Sequence, residues 1–303
     1  MPMIGVVFVI LAGVLWAIDT LIRYPMLFAG VSAERIVFTE QLILSIVFIP
    51  LLLKDAKKIG TLKLSTMAYF GVIGVCGQAI GTLTFTKAFM LINPSLVILL
   101  QKLQPIVAIS LARVFLGEKI KREFLFWAAI ALVGGFLISS PDIMPGLMGL
   151  DFSMALLSKK AIWGYTLTMI AVVSWGASTV FGKKLSAQGF DEIQIMGGRF
   201  VLGLVFMTFY LYYQFGGLNL DWNLATYGKI LVMVLLSGFA GMYFYYKGLK
   251  TLSARAAALA EMFFPFSAVV INWIFLGAKL QPVQIVGASL LVIASSVIQL
   301  KKY

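Results

Sequence analysis

Lys102 stands inside an apolar stretch with Gln101 and Gln104 beside it, and Glu261 stands inside another such stretch further along the chain. Ionisable side chains amid long apolar runs are costly, so by default they face a cavity or a partner. A lysine there suits a carboxylate or phosphate, and a glutamate can accept an amine or carry a coupling proton. Together they would hold a zwitterion; the plainer alternative is a structural pair between the two. A proline follows each position, Pro105 and Pro265. Proline lacks the N–H that would bond the carbonyl four residues earlier, here those of Gln101 and Glu261. Each polar position is therefore expected to carry a freed backbone acceptor, as interrupted membrane helices do. The alternative is a hinge that shapes the bundle without touching a ligand.

Other polar and aromatic residues sit in the same kind of surroundings. Glu40 and Arg199 are expected near opposite membrane faces, too far apart to pair. Each either snorkels to its own interface or belongs to a gate on its side. Asp19 has Arg23 one turn later, which predicts a local ion pair. Gln78, with Trp16, Trp175, Tyr243 and Tyr245, would line a cavity with aromatic walls and few polar groups, the usual make-up of a small-molecule site. Gly71, Gly74, Gly77 and Gly81 recur at near-helical spacing, which fits close packing of membrane helices. There is no histidine and one cysteine, Cys76. That excludes an intrachain disulfide, the usual zinc sites and histidine-based catalysis. No metal and no cofactor is called for. No phosphate-binding loop of the Walker type occurs, so ATP does not drive the protein directly.

The elements that must carry these residues are long apolar helices. Hydrophobic residues make up 61% of the chain and charged residues 12%, with a mean hydropathy of +1.00. Soluble domains are typically about 45–50% apolar and about 25% charged, so lipid must cover this surface. The expected class is all-α and integral to the membrane. A span needs about 20 apolar residues, and ten candidates follow: 3–22, 33–53, 66–86, 94–115 and 122–140, then 162–182, 193–214, 228–247, 255–276 and 281–300. The first reads as a retained span and not a cleaved signal. Residues 1–140 form one unit and 162–303 a second, with 141–161 as connector and Phe152–Leu157 as a short interfacial helix within it.

The two units are copies. Trp16 answers Trp175 and Glu40 answers Arg199, 159 positions apart in both cases; Lys87, Pro105 and Gly117 answer Lys247, Pro265 and Gly277 at 160. Five spans per copy is an odd number, so the second copy inserts inverted relative to the first, the architecture of secondary transporters. The net charge of +12 sits in short clusters such as Lys54, Lys57, Lys58 and Lys63, or Lys119, Lys121 and Arg122. That is the pattern of cytoplasmic loops and not of nucleic-acid binding. Placing both termini in the cytoplasm puts twice as many basic residues inside as outside.

Trp16-Ala17, Gln104-Pro105 and Phe115-Leu116-Gly117-Glu118-Lys119, repeated as Trp175-Gly176, Phe264-Pro265 and Phe275-Leu276-Gly277, resemble the drug/metabolite transporter superfamily in its EamA-type branch. One departure is Gly277-Ala278-Lys279, where the family usually has Gly-Glu. The resemblance covers nearly the whole chain. It implies ten helices, a central cavity lined mainly by spans 1–4 and 6–9, and alternating access. Family substrates range over amino acids, nucleotide sugars, sugar phosphates, choline and drugs. The expected function is secondary transport of a small polar metabolite across the cell (inner) membrane by a monomer. With Lys102 opposite Glu261 the expectation is an exported amino acid; proton coupling through Glu261 and facilitated exchange are both open. Organic anions, sugar phosphates and drugs are the alternatives, and a receptor or membrane enzyme is remote. Lys102→Met is expected to abolish transport in a folded protein.

Overall fold

The computed structural model describes residues 2–53, 62–144, 158–218, 220, 222–249, 251–252 and 254–301. The basic residues Lys54, Lys57 and Lys58 and the expected interfacial helix Phe152–Leu157 lie outside the described residues. Among the described residues there are ten helical spans. They are α1 (Pro2–Phe28), α2 (Ala33–Leu53), α3 (Leu64–Ala88), α4 (Pro94–Leu116), α5 (Arg122–Ile143), α6 (Lys159–Ala187), α7 (Glu192–Phe215), α8 (Leu224–Leu249), α9 (Ala254–Leu276) and α10 (Pro282–Lys301). No strand occurs among the described residues. Eight of these are long and apolar enough to cross a membrane. The other two are α2, a 21-residue helix with its charged residues, Glu34, Arg35 and Glu40, in its N-terminal part, and α9, which is broken into Ala254–Ala260 and Phe263–Leu276. α5 runs on through Pro141 to Ile143, beyond the expected edge at 140.

Each copy builds the same irregularities. α3 widens to a π-helix over Val72–Ile80, and α8 does so over Val234–Ala240. α4 tightens to a 3-10 turn at Gln101–Leu103 just before Pro105, and α9 breaks into a turn at Glu261–Met262 before Pro265. Both proline-bearing helices then stop at a glycine in the left-handed region, Gly117 at φ 70° and Gly277 at φ 64°. A side chain with a Cβ resists that conformation, which explains the Phe-Leu-Gly ending of both copies.

Packing between the copies obeys a two-fold exchange. α5 lies on α10 and α2 on α7; α1 lies on α8 and α9 just as α6 lies on α3 and α4. Swapping the halves maps every one of these neighbours onto another, as inverted repeats require. At one end of the bundle Lys183 pairs with Glu118 at 2.5 Å and Lys301 with Glu123 at 2.7 Å. At the other, Glu34 pairs with Lys87 at 2.7 Å, and the Asn93 side chain donates to the Lys279 carbonyl at 2.9 Å.

Candidate functional site

The inner faces of α1 to α4 and α6 to α9 line a cavity of about 880 Å³. Its aromatic wall includes Trp16, Phe85, Trp175, Tyr243 and Phe264, with Phe48, Phe89, Phe200 and Phe239 completing it, and its polar wall includes Asp19, Thr20, Arg23, Glu40, Gln78, Thr82, Glu192, Arg199 and Ser237.

The two indoles are set by the π-helices. In α8 the Gly241 N–H reaches past Ser237 to the Leu236 carbonyl. In a regular α-helix Gly241 would have bonded Ser237. The Ser237 carbonyl instead accepts the indole N–H of Trp16 at 3.0 Å. A Cβ on Gly241 would fall 2.6 Å from Trp16 Nε1, so only glycine lets the ring lie there. In the other copy the Gly81 N–H likewise skips to Cys76, and a Cβ on Gly81 would fall 2.8 Å from Trp175 Nε1. Trp16 therefore rests on the second copy and Trp175 on the first. Each indole bridges the surfaces that must slide past one another if access alternates.

Charge gathers at one end. Arg23 donates through Nε to Asp19 at 2.8 Å and through Nη2 to Asp19 at 2.9 Å and to Glu40 at 3.0 Å. Its Nη1 donates to the Thr86 hydroxyl at 3.3 Å. The expected Asp19–Arg23 pair is present, but it is one part of a cluster joining α1, α2 and α3. Glu40 does not snorkel to an interface; it turns inward because Arg23 is there to receive it. Arg199, the counterpart of Glu40, donates through Nε to Gln78 Oε1 at 2.7 Å. The Gln78 carbonyl in turn accepts from the Gln41 side chain at 3.4 Å. Glu40 and Arg199 do not pair with each other, and both line the cavity.

The Lys102 region is arranged differently from the expectation. Lys102 and Glu261 form no ion pair among the described residues. The Lys102 ammonium sits 5.8 Å from the Phe264 ring centroid, and Glu261 accepts the Tyr245 hydroxyl at 2.7 Å. Phe264, three residues after Glu261, holds the cavity side of α9. Lys102, Gln101, Gln104, Glu261 and Tyr245 are absent from the wall. Gln104 donates to the Thr179 hydroxyl at 3.3 Å, and Gln101 Oε1 is buried without a hydrogen-bond partner among the described residues. The carbonyls released by the two prolines are also taken. Gln101 accepts from the Gln104 N–H and Glu261 from the Phe264 N–H at 3.2 Å, three residues on in each copy. Tightening to a 3-10 turn satisfies the acceptor that proline strands. Pro105 and Pro265 thus mark symmetric breaks without an open acceptor.

The wall also holds residues that sequence reasoning passed over. Arg23 reads as a loop cation after span 1, and only its spacing of four from Asp19 signals otherwise. Phe85, Phe264, Thr82 and Glu192 carry no signal that separates them from packing or surface residues.

Comparison with known proteins places this architecture. The model of the EamA-like transporter family matches residues 3–140 and again 162–300. The chain belongs to the EamA-like transporter family. This family member is 33% identical over 307 residues to the riboflavin transporter ImpX of Fusobacterium nucleatum, covering 98% of this chain and 97% of that protein. It is 23% identical to an uncharacterized transporter of Archaeoglobus fulgidus, over 76% of each chain. A solved crystal structure superposes with a TM-score of 0.57 at 14% identity, covering 97% of this chain and 95% of the other; at that identity it shows the fold alone. The protein is a multi-pass EamA-type membrane transporter of a small metabolite.

Proposed function

We propose that the chain carries riboflavin, or a flavin close to it, across the membrane by alternating access. The observation that carries the reading is the wall of nine aromatic residues around about 880 Å³. Small-molecule sites run to about 300–1,000 Å³ with apolar walls and a few placed polar groups, and this one is at the roomy end. Flavins present a flat, uncharged three-ring face with a polar edge and a chain of hydroxyls. Aromatic pairs favour offset or edge-on packing, which Trp16, Trp175 and Phe85 can supply. Gln78, Thr82 and Ser237 offer hydrogen bonds to ring carbonyls and hydroxyls. The 33% identity to a riboflavin transporter along nearly the whole length points the same way.

The amino-acid reading rested on Lys102 facing Glu261, and neither lines the cavity. An anion or sugar phosphate would need cations to spare, whereas Arg23 is held by two carboxylates and Arg199 by an amide. For topology, the ends of α6 and α10 share a face with the basic Lys119–Arg122 connection through the Glu118 and Glu123 pairs. By the positive-inside rule that face is cytoplasmic and carries both termini, in the cell membrane.

Counterflow in proteoliposomes tests the substrate. Internal unlabelled riboflavin is expected to draw in labelled riboflavin, while internal amino acids and sugar phosphates do not. Trans-stimulation by amino acids alone would overturn the flavin reading.

A further inference from the structure

We propose that Glu40 binds one coupling proton, which crosses the membrane together with the substrate. The proposal rests on the transporter reading, but the proton site is argued independently of what the substrate is.

Charge counting begins the argument. Arg23 is one cation against two carboxylates, Asp19 and Glu40, within membrane-spanning helices. Their side chains are only 7%, 14% and 16% exposed. Fully ionised, the cluster holds a net negative charge where hydration is poor, and buried charges without a counter-charge neutralise themselves. A proton on one carboxylate leaves a neutral cluster.

Geometry selects Glu40. Asp19 meets the guanidinium with both oxygens, at 2.8 and 2.9 Å, the strongest arrangement such a pair adopts. Glu40 receives a single bond at one oxygen, 3.0 Å from an Nη2 that also serves Asp19. Among the described residues Arg23 is the one cation bonded to Glu40. The groups facing Glu40 from α1 are Asp19 and Arg23. From α3 come Thr86, which is already bonded to Arg23, and Lys87, whose ammonium is held by Glu34 at 2.7 Å. From α7 comes Arg199, engaged with Gln78, and from α8 comes Tyr243.

Position then links the proton to transport. Glu40 and Arg23 tie α2 to α1, and both line the cavity. A proton on Glu40 loosens that tie and leaves Arg23–Asp19 as a neutral pair. With an uncharged substrate filling the cavity, the protonated cluster is neutral and the loaded carrier changes sides. Once emptied, the cavity admits water that hydrates the ionised cluster, the Glu40–Arg23 tie closes, and the carrier returns without the proton. Proton and substrate therefore travel together, and an inward proton gradient drives uptake, opposite to the export expected from sequence. The second copy has Ser178, Gly182 and Arg199 where the first has Asp19, Arg23 and Glu40. At these equivalent positions it has no carboxylate, and the proposal is for one proton per cycle.

The experiment uses full-length protein in proteoliposomes, with the membrane potential clamped at zero. For one proton per substrate, an inward gradient of one pH unit is expected to hold about a tenfold riboflavin ratio, since coupled binding transmits the full proton activity ratio. Glu40→Gln is expected to move riboflavin equally with and without the gradient, whatever its absolute rate. A second readout needs no substrate: pH-difference infrared spectra in detergent should show a protonated-carboxyl band that Glu40→Gln removes. Wild-type counterflow indifferent to the gradient would overturn the proton proposal and leave the flavin reading standing. Loss of the infrared band in Glu40→Gln without riboflavin counterflow in the wild type would support the proton site and overturn the substrate. A band that persists in Glu40→Gln, or is missing from the wild type, overturns the proton site directly.

Discussion

Gly241→Ala is expected to cost the protein more than its size suggests, and the cost should vanish in part when Trp16 is shortened. The added methyl would sit 2.6 Å from Trp16 Nε1 and 3.0 Å from its Cδ1. Ordinary contact begins at 3.4 Å, so the indole must retreat by about 0.8 Å. Retreat stretches the 3.0 Å bond to the Ser237 carbonyl, which the π-helix has already deprived of its Gly241 donor. Overpacking of this kind typically costs about 1–3 kcal/mol, and a lost hydrogen bond adds about 0.5–1.5 kcal/mol. The better helix propensity of alanine returns up to about 1 kcal/mol. A net loss on the order of 1–3 kcal/mol follows. Trp16→Phe removes the N–H and the clashing atom together, at about 0.5–1.5 kcal/mol for the bond. The assay is detergent unfolding of four proteins: the parent, each single variant and the double variant. In a double-mutant cycle the pair should couple by more than about 0.5 kcal/mol, with the double variant less damaged than the sum of the singles. Strict additivity would refute the idea that Gly241 exists to seat Trp16.

Two further outcomes follow from the placement of particular residues. Lys102→Met gives up a cation–π contact worth about 0.5–1 kcal/mol behind the Phe264 ring, so riboflavin counterflow is expected to persist; its abolition would return Lys102 to the substrate path. Single cysteines introduced near either terminus in a Cys76→Ala background should resist impermeant maleimide in intact cells and react in inverted vesicles. The reverse labelling would invert the topology.

The candidate site was less legible than the scaffold, and particular residues show why. Pro105 and Pro265 announced their breaks, because a missing N–H acts on the same helix wherever that helix packs. The carbonyls they release were expected to be open and are closed by the next N–H along. Gln78, Trp16 and Trp175 were readable as wall residues, since a polar or indole group in an apolar run has few other uses. Arg23 was not, because its link to Glu40 joins two helices whose facing is set by their neighbours.

Length, hydropathy and duplication by themselves determined a ten-helix membrane protein built of two inverted copies. Those features depend on the solvent and on backbone chemistry, and both act locally along the chain. Tertiary structure alone decided that Lys102 and Glu261 form no ion pair among the described residues and lie off the cavity wall, while Arg23 gathers Asp19 and Glu40. A helix apolar on every side gives no periodic signal that distinguishes its lipid face from its cavity face. Only packing against the other copy fixes its rotation, and with it which polar side chains meet.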